Sequence, residues 1–182
     1  LGKTIVILGT GVIAEALARR CKAFDMTVIG LSSAPRPVEH FDEVLPRTAL
    51  VDVAARADVL VALAPLDEHT RGLVGERVFA AMRPSSFFIN VSRGGVCDEA
   101  ALTAALRERR IAGAALDVFS VEPLPPGHAL WSEPGLIVTP HLGGESDRYV
   151  ELVLPILEHN LRCVAEGRDG EMLNRVDPAS AA

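Results

Sequence analysis

Four residues of this sequence carry side chains suited to acid–base or ionic chemistry and stand where apolar runs end: Arg93, Asp117, Glu122 and His141. His141 lies in VTPHLGG, after an apolar run and a proline. An imidazole there is either a plain turn histidine or a proton-transfer group at the mouth of a sheet. Arg93, in NVSRGG, can clamp a carboxylate through two parallel hydrogen bonds or serve a structural ion pair. Asp117 ends the run AGAALDV, and Glu122 lies in the loop beyond it. Each has an ordinary explanation. Their shared placement after apolar runs is harder to explain that way.

The elements that must position them follow from the pattern of the chain. Six short apolar runs recur, over 4–8, 27–31, 58–64, 86–91, 112–118 and 136–139. Runs of this length without strict alternation suit strands buried on both faces. Helix-like stretches separate them: VIAEALARRCKAF, LVDVAARA, GERVFAAM and DEAALTAALRERR. In the last, Asp98 suits an N-cap, and Ala101, Leu102, Ala105 and Leu106 form one apolar stripe. Alternating strand and helix predicts an α/β fold, a doubly wound parallel sheet in three αβα layers. Prolines and glycines in 119–135 predict a structured loop. A long helical pattern follows Gly144, with Pro155 expected to kink or divide it, and 168–182 read as tail.

In an open parallel sheet, ligands sit beyond the carboxyl ends of the strands. The first run is followed by GTGVIA, which fits G-x-G-x-x-G/A. Gly9 permits a tight turn, Gly11 lets the backbone approach a pyrophosphate, and Ala14 allows close helix–strand packing. The amides near Val12 and Ile13 then point at phosphate from a helix N-terminus. The second run ends in SSAPRP, with no carboxylate to select an unphosphorylated ribose. Ser32, Ser33 and Arg36 either hold a 2′-phosphate or form a solvent-exposed turn. The third ends in LAPLDE, where a loop at Ala64 and Pro65 can cover the adenine or ribose.

Composition narrows the class. The chain has 182 residues, 49% hydrophobic, with net charge −6. That supports one sizeable core and argues against a nucleic-acid surface. No apolar stretch approaches the ~20 residues of a membrane span, and the N-terminus lacks a signal-peptide pattern. Cys21, Cys97 and Cys163 are widely spaced, suggesting neither a disulfide framework nor a metal site. A reducing cytoplasm is the expected setting. The chain begins at Leu1 and enters a strand-like run at once, which reads as a domain cut from something longer.

Taken together, the sequence resembles the D-isomer-specific 2-hydroxyacid dehydrogenase family. GKTIVILGTGVIAEALA, the stretch from PLDEHTRGL to NVSRGGVCDEAAL, GAALDVFSVEP and LIVTPHLGG look like that family's motifs in order and spacing. The resemblance implies a Rossmann-type coenzyme domain that binds NAD or NADP, with Arg93, Glu122 and His141 catalytic. It implies cofactor contacts at Gly11, Val12, Ile13, Ser32, Pro65, Val91, Arg93, Asp117, His141 and Gly143. We extend these to Gly9, Ser33, Arg36, Ala64, Ser92 and Gly144. The expected reaction is hydride transfer between a nicotinamide and C2 of a small 2-keto or 2-hydroxy acid, as in glyoxylate or hydroxypyruvate reductases. Residues 1–145 are expected to form the coenzyme domain. Residues 146–182 are expected to return toward a substrate domain absent from this sequence, and a homodimer is expected. Ser32 departs from the family's usual aspartate. The alternative is a dinucleotide-sensing corepressor-type binding module on the same scaffold. Formate dehydrogenase relatives pair the histidine with glutamine, and Glu122 argues against them.

Overall fold

A computed structural model of the chain describes residues 2–175. A seven-stranded parallel sheet has the order β3-β2-β1-β4-β5-β6-β7. The strands are β1 (Thr4–Leu8), β2 (Thr27–Ser32), β3 (Glu43–Pro46), β4 (Val59–Ala62), β5 (Phe87–Asn90), β6 (Gly113–Leu116) and β7 (Leu136–Val138). The helices are α1 (Val12–Lys22), α2 (Leu50–Ala54), α3 (Glu76–Ala81), α4 (Glu99–Arg107) and α5 (Tyr149–Ala165). Six strands coincide with the six apolar runs, β2 extending one residue past its run to Ser32. The seventh, β3, has only Val44 and Leu45 as apolar residues and ends in Pro46. It lies at the sheet edge, where one pairing neighbour suffices and a proline is tolerated.

One sheet face is covered by helices, and the other is covered at β1, β2 and β4, while Phe87 of β5 and Ile137 of β7 stay 48% and 66% exposed on it. Along β1, Val6 and Leu8 join one apolar cluster, while Ile5 and Ile7 join another. The first cluster includes Val53 of α2, Phe79 of α3 and Leu102 of α4. The second includes Ala14, Ala18 and Cys21 of α1. This period-2 division of one strand between two clusters makes the fold three-layered. Phe79 and Phe88 meet edge-to-face with centroids 5.4 Å apart. The Asp98 carboxylate accepts from the Ala100 and Ala101 amides at 3.0 Å, capping α4.

The two ends of the sheet differ chemically. At the amino end, carboxylates staple the strands. Asp58 accepts the Thr4 amide at 2.8 Å and pairs with Lys3, and Asp42 accepts the Val28 amide at 2.8 Å and pairs with Lys22. These bonds hold both carboxyls below their ordinary range. The carboxyl end carries the glycine turn and the candidate site residues.

Residues 119–135 contain neither strand nor α-helix, only a 3-10 turn at Ala129–Ser132. The chain separates into two compact units, at Leu1–Leu142 and Gly143–Ala182. In the second, α5 runs unbroken through Pro155, contrary to the expected division. A proline removes one backbone donor, and the bonds on either side carry the helix through. Part of the expected tail is ordered against α5. The Asn160 carboxamide brackets Leu173, donating to its carbonyl at 2.9 Å and accepting its amide at 2.8 Å. The remaining expected tail, 176–182, lies outside the described residues.

Candidate active site

The glycine turn sits where the strand order reverses, between β1 and β4. Gly9 has φ +109°, and a Cβ there would lie 3.0 Å from the Leu63 carbonyl carbon and the Ala64 nitrogen. The turn thus needs glycine for both conformation and space. A Cβ on Gly11 would meet nothing within 4 Å, so the space in front of it is open to a ligand. Val12 and Ile13 begin α1 at 86% and 72% exposure, and no side chain caps the helix. Free amides at a helix start beside an open glycine suit a pyrophosphate. Ala14 is buried against β1, which is the close packing expected of it. Ile13, Ala64, Pro65, Val91, Ser92 and Arg93 share a cleft of about 520 Å3 with Leu63 and Leu66.

At the end of β2, Ser32 is half-buried and its hydroxyl accepts the Ala34 amide at 3.2 Å. Ser33 and Arg36 are exposed, and among the described residues Arg36 makes no ion pair. No carboxylate occupies the position where a ribose 2′-hydroxyl acceptor is usual.

Arg93 makes no ion pair within 4 Å among the described residues, and its charge adds to the effects that lower the Glu122 carboxyl. Its Nη1 donates to the Ser92 carbonyl at 2.7 Å. The two glycines after it look, from sequence, like a source of unusual backbone angles. Neither has positive φ. Gly94 is needed for room: a Cβ there would lie 1.9 Å from the Phe119 carbonyl carbon. The arginine turn and the loop holding Glu122 are therefore in backbone contact.

Glu122 and His141 form the central pair, Oε2 to Nδ1 at 2.7 Å. The other Glu122 oxygen accepts the Phe119 amide at 2.8 Å. The hydrogen bond with His141, reinforced by that amide, holds the Glu122 carboxyl below its ordinary range. His141 lies in the left-handed region at φ +56°, a conformation a β-carbon resists and the surroundings must enforce. Asp117 supplies part of that enforcement. Its Oδ1 accepts from the Thr139 hydroxyl and from the Leu142 amide, so one buried carboxylate grips the turn on both sides of the histidine. Beside the pair, Phe119, Pro123, Leu124, Trp131 and Pro140 line an apolar hollow of about 380 Å3.

Arg93, Asp117, Glu122 and His141 thus all belong to the carboxyl edge that carries the glycine turn. Gly143 and Gly144 fall in the second compact unit. Sequence reasoning missed two residues that act on this edge. Asn90, fully buried at the end of β5, bonds both Ser92 and Arg93. Glu99, on α4, accepts the Ser120 amide at 2.6 Å and holds the Glu122 loop. Asn90 had a signal, a polar residue ending an apolar run. Glu99 had none, because its partner is remote in sequence.

The fold and this site define a class: a Rossmann-type dinucleotide-binding domain with a carboxylate-supported histidine at its ligand edge. The chain belongs to the D-isomer specific 2-hydroxyacid dehydrogenase family, matching its NAD binding domain over residues 1–143. It is 38% identical over 162 residues to the (S)-sulfolactate dehydrogenase of Chromohalobacter salexigens, covering 88% of this chain and 52% of that protein. With the glyoxylate reductase of Thermococcus gammatolerans it shares 35% identity, over 91% of this chain and 49% of that one. The D-isomer specific 2-hydroxyacid dehydrogenase of Xanthobacter autotrophicus, crystallised with NADPH and MES, superposes with TM-score 0.88 at 37% identity, over 99% of this chain and 73% of that one. An NADPH-dependent glyoxylate/hydroxypyruvate reductase of Sinorhizobium meliloti with NADP and sulfate gives 0.87 at 33%, over 99% of this chain and 57% of that one. The chain spans about half the length of the curated relatives it matches. These relatives are named as dehydrogenases and reductases, and they lend the corepressor alternative no support.

Proposed function

We propose that this chain is the coenzyme-binding part of an NAD(P)-dependent oxidoreductase acting at C2 of a small D-2-hydroxy or 2-keto acid. One observation carries the reading: the Glu122–His141 pair at 2.7 Å stands on the sheet edge that bears the open glycine turn. Gly9, Gly11, Val12 and Ile13 hold the pyrophosphate, and Ala64, Pro65, Val91 and Ser92 line the cleft. When bound, the nicotinamide supplies the hydride for reduction and takes it back in oxidation. Arg93 clamps the substrate carboxylate and polarises the carbonyl at C2. His141 delivers the proton to the C2 oxygen, and Glu122 orients the ring. Asp117 holds the turn that aims the imidazole, and it would orient the carboxamide side of a bound nicotinamide.

NADPH is the favoured coenzyme in this reading. Ser32 and Ser33 donate to a 2′-phosphate and Arg36 neutralises it, while no carboxylate repels it. Residues 1–145 form the coenzyme domain, and Gly143 and Gly144 are assigned to cofactor contact. Residues 146–182 return toward a substrate domain. The exposure of Leu152, Leu157 and Leu161 on α5 supports a partner surface there, and we assign the protein to a homodimer. Among the described residues no helix is long and apolar enough to cross a membrane, and the proposed setting is the cytoplasm.

Steady-state assays with NADPH or NADH and glyoxylate, hydroxypyruvate or pyruvate test the reading. Keto-acid-dependent oxidation of NADPH is expected from the intact protein. The 182-residue chain alone is expected to bind NADPH yet turn over little, because an open cleft neither orients substrate nor excludes water. Tight NADPH binding without turnover of any 2-keto acid by the intact protein sinks the enzyme reading.

A further inference from the structure

Asn90 touches neither of the proposed reacting groups, yet every bond its side chain makes leads to Arg93. It is the last residue of β5 and is fully buried. Its Oδ1 accepts from the Ser92 amide at 3.1 Å and the Ser92 hydroxyl at 2.8 Å. Its Nδ2 donates to the Arg93 carbonyl at 3.1 Å. A residue that merely closed a turn would need only the acceptor. Here the donor is used as well, and it is used on the backbone of the arginine.

The consequence is that Arg93 is fixed from both sides. Asn90 holds the carbonyl of the Arg93–Gly94 peptide. Beyond it, Gly94 is lodged against the Phe119 backbone, so that peptide cannot turn. On the other side, Ser92 is held by both its amide and its hydroxyl, and the Ser92 carbonyl in turn accepts from Arg93 Nη1 at 2.7 Å. The Arg93 carbonyl also accepts the Val96 amide at 3.1 Å, and the Asn90 carboxamide is the group that links that carbonyl to the Ser92 amide and hydroxyl. The Asn90 backbone carbonyl also accepts the Asp117 amide at 3.0 Å, which ties this turn to the residue that grips the His141 turn.

We infer that Asn90 is a positioning residue whose buried carboxamide sets the direction in which Arg93 presents its guanidinium to the substrate carboxylate. This rests on the proposed role of Arg93 as the carboxylate clamp. Aspartate cannot replace it, because a second carboxylate oxygen would face the Arg93 carbonyl where a donor is required.

The test uses the intact protein, NADPH and glyoxylate. Asn90→Asp keeps the size and the acceptor and loses the donor, while Asn90→Ala loses both. In each, the KM for glyoxylate should rise about tenfold or more and kcat should fall as well, because Arg93 both holds the carboxylate and polarises the carbonyl, while the KM for NADPH stays within about twofold. In an Arg93→Lys background, Asn90→Asp should add less than about twofold, because residues acting as a unit are not additive. Should both Asn90 variants fail to fold, Ser92→Ala removes one bond of the same network and should raise the glyoxylate KM about threefold. An unchanged glyoxylate KM in a folded Asn90 variant, or in Ser92→Ala if neither folds, overturns the inference. So does an equal effect in the Arg93→Lys background. A parent protein that reduces no 2-keto acid strikes the functional reading first and this inference with it. An active parent with neutral variants strikes this inference alone.

Discussion

Gly94 lies against Phe119 so closely that a Cβ on the glycine would sit 1.9 Å from the Phe119 carbonyl carbon and 2.1 Å from its oxygen. Those are backbone atoms, which no rotamer change can move aside. The contact joins the turn bearing Arg93 to the loop bearing Glu122, where the Phe119 amide donates a hydrogen bond to one Glu122 carboxylate oxygen. The distance between the proposed carboxylate clamp and the proposed acid–base pair is therefore set by a glycine that does no chemistry.

Gly94→Ala should accordingly damage activity more than stability. Overpacking costs ~1–3 kcal/mol. At ~2–4 °C per kcal/mol for a chain of this size, Tm should fall by roughly 2–12 °C. Keto-acid turnover in the intact protein should fall by about a hundredfold, since misplacing reacting groups by about 1 Å costs on that order. Thermal denaturation alongside kinetics checks this, and wild-type turnover in the variant would contradict it.

Glu122→Gln should reduce turnover about tenfold to a hundredfold, a share of the ~10²–10⁴ that acid–base catalysis supplies. It should also change the response to acid. The Glu122 carboxyl is held below its ordinary range, chiefly by His141 and then by the Phe119 amide. A lowered folded-state value means that its contribution to stability is complete above the unfolded value, ~4.3, and is lost as pH falls through the folded one. Denaturant unfolding between neutral pH and pH ~3 should therefore show a shallower acid decline in Glu122→Gln than in the parent. Equal slopes would mean that the pair does not form in solution.

Ser32→Asp should turn coenzyme preference toward NADH. A carboxylate at the end of β2 repels a 2′-phosphate and accepts from a 2′-hydroxyl. The ratio of NADPH to NADH efficiency should drop by about a hundredfold, equivalent to ~2.7 kcal/mol. Arg36→Ala should weaken NADPH about tenfold and leave NADH nearly unchanged, as loss of one phosphate contact predicts. If the parent already prefers NADH by about a hundredfold, the reading of this loop is wrong.

Asp58→Ala provides the opposite case at the other end of the sheet. Its carboxylate accepts the Thr4 amide at 2.8 Å and is 12% exposed. Removing it strands a backbone donor and should cost ~1–3 kcal/mol. NADPH affinity should not change, because the lesion lies at the strands' amino ends. Paired unfolding and cofactor titrations would show whether stability and binding separate in this way.

Much of this protein is decided locally and was legible in the sequence. Buried parallel strands need uninterrupted apolar runs, so six strands could be read directly. A dinucleotide turn needs glycine where backbone meets pyrophosphate, so Gly9 and Gly11 announced themselves. Asp98 caps α4 through amides two and three residues away, a bond that sequence spacing alone implies. The edge strand β3 was not legible, since one pairing neighbour holds four residues that carry almost no apolar pattern. The tertiary structure alone decided that Gly94 serves space and not backbone conformation, that Glu99 reaches the Ser120 amide from another element, and that Asp117 grips both sides of the His141 turn. Each of these depends on how closely separate loops approach one another. That distance comes from packing the helices on the sheet, and no local pattern of residue types encodes it.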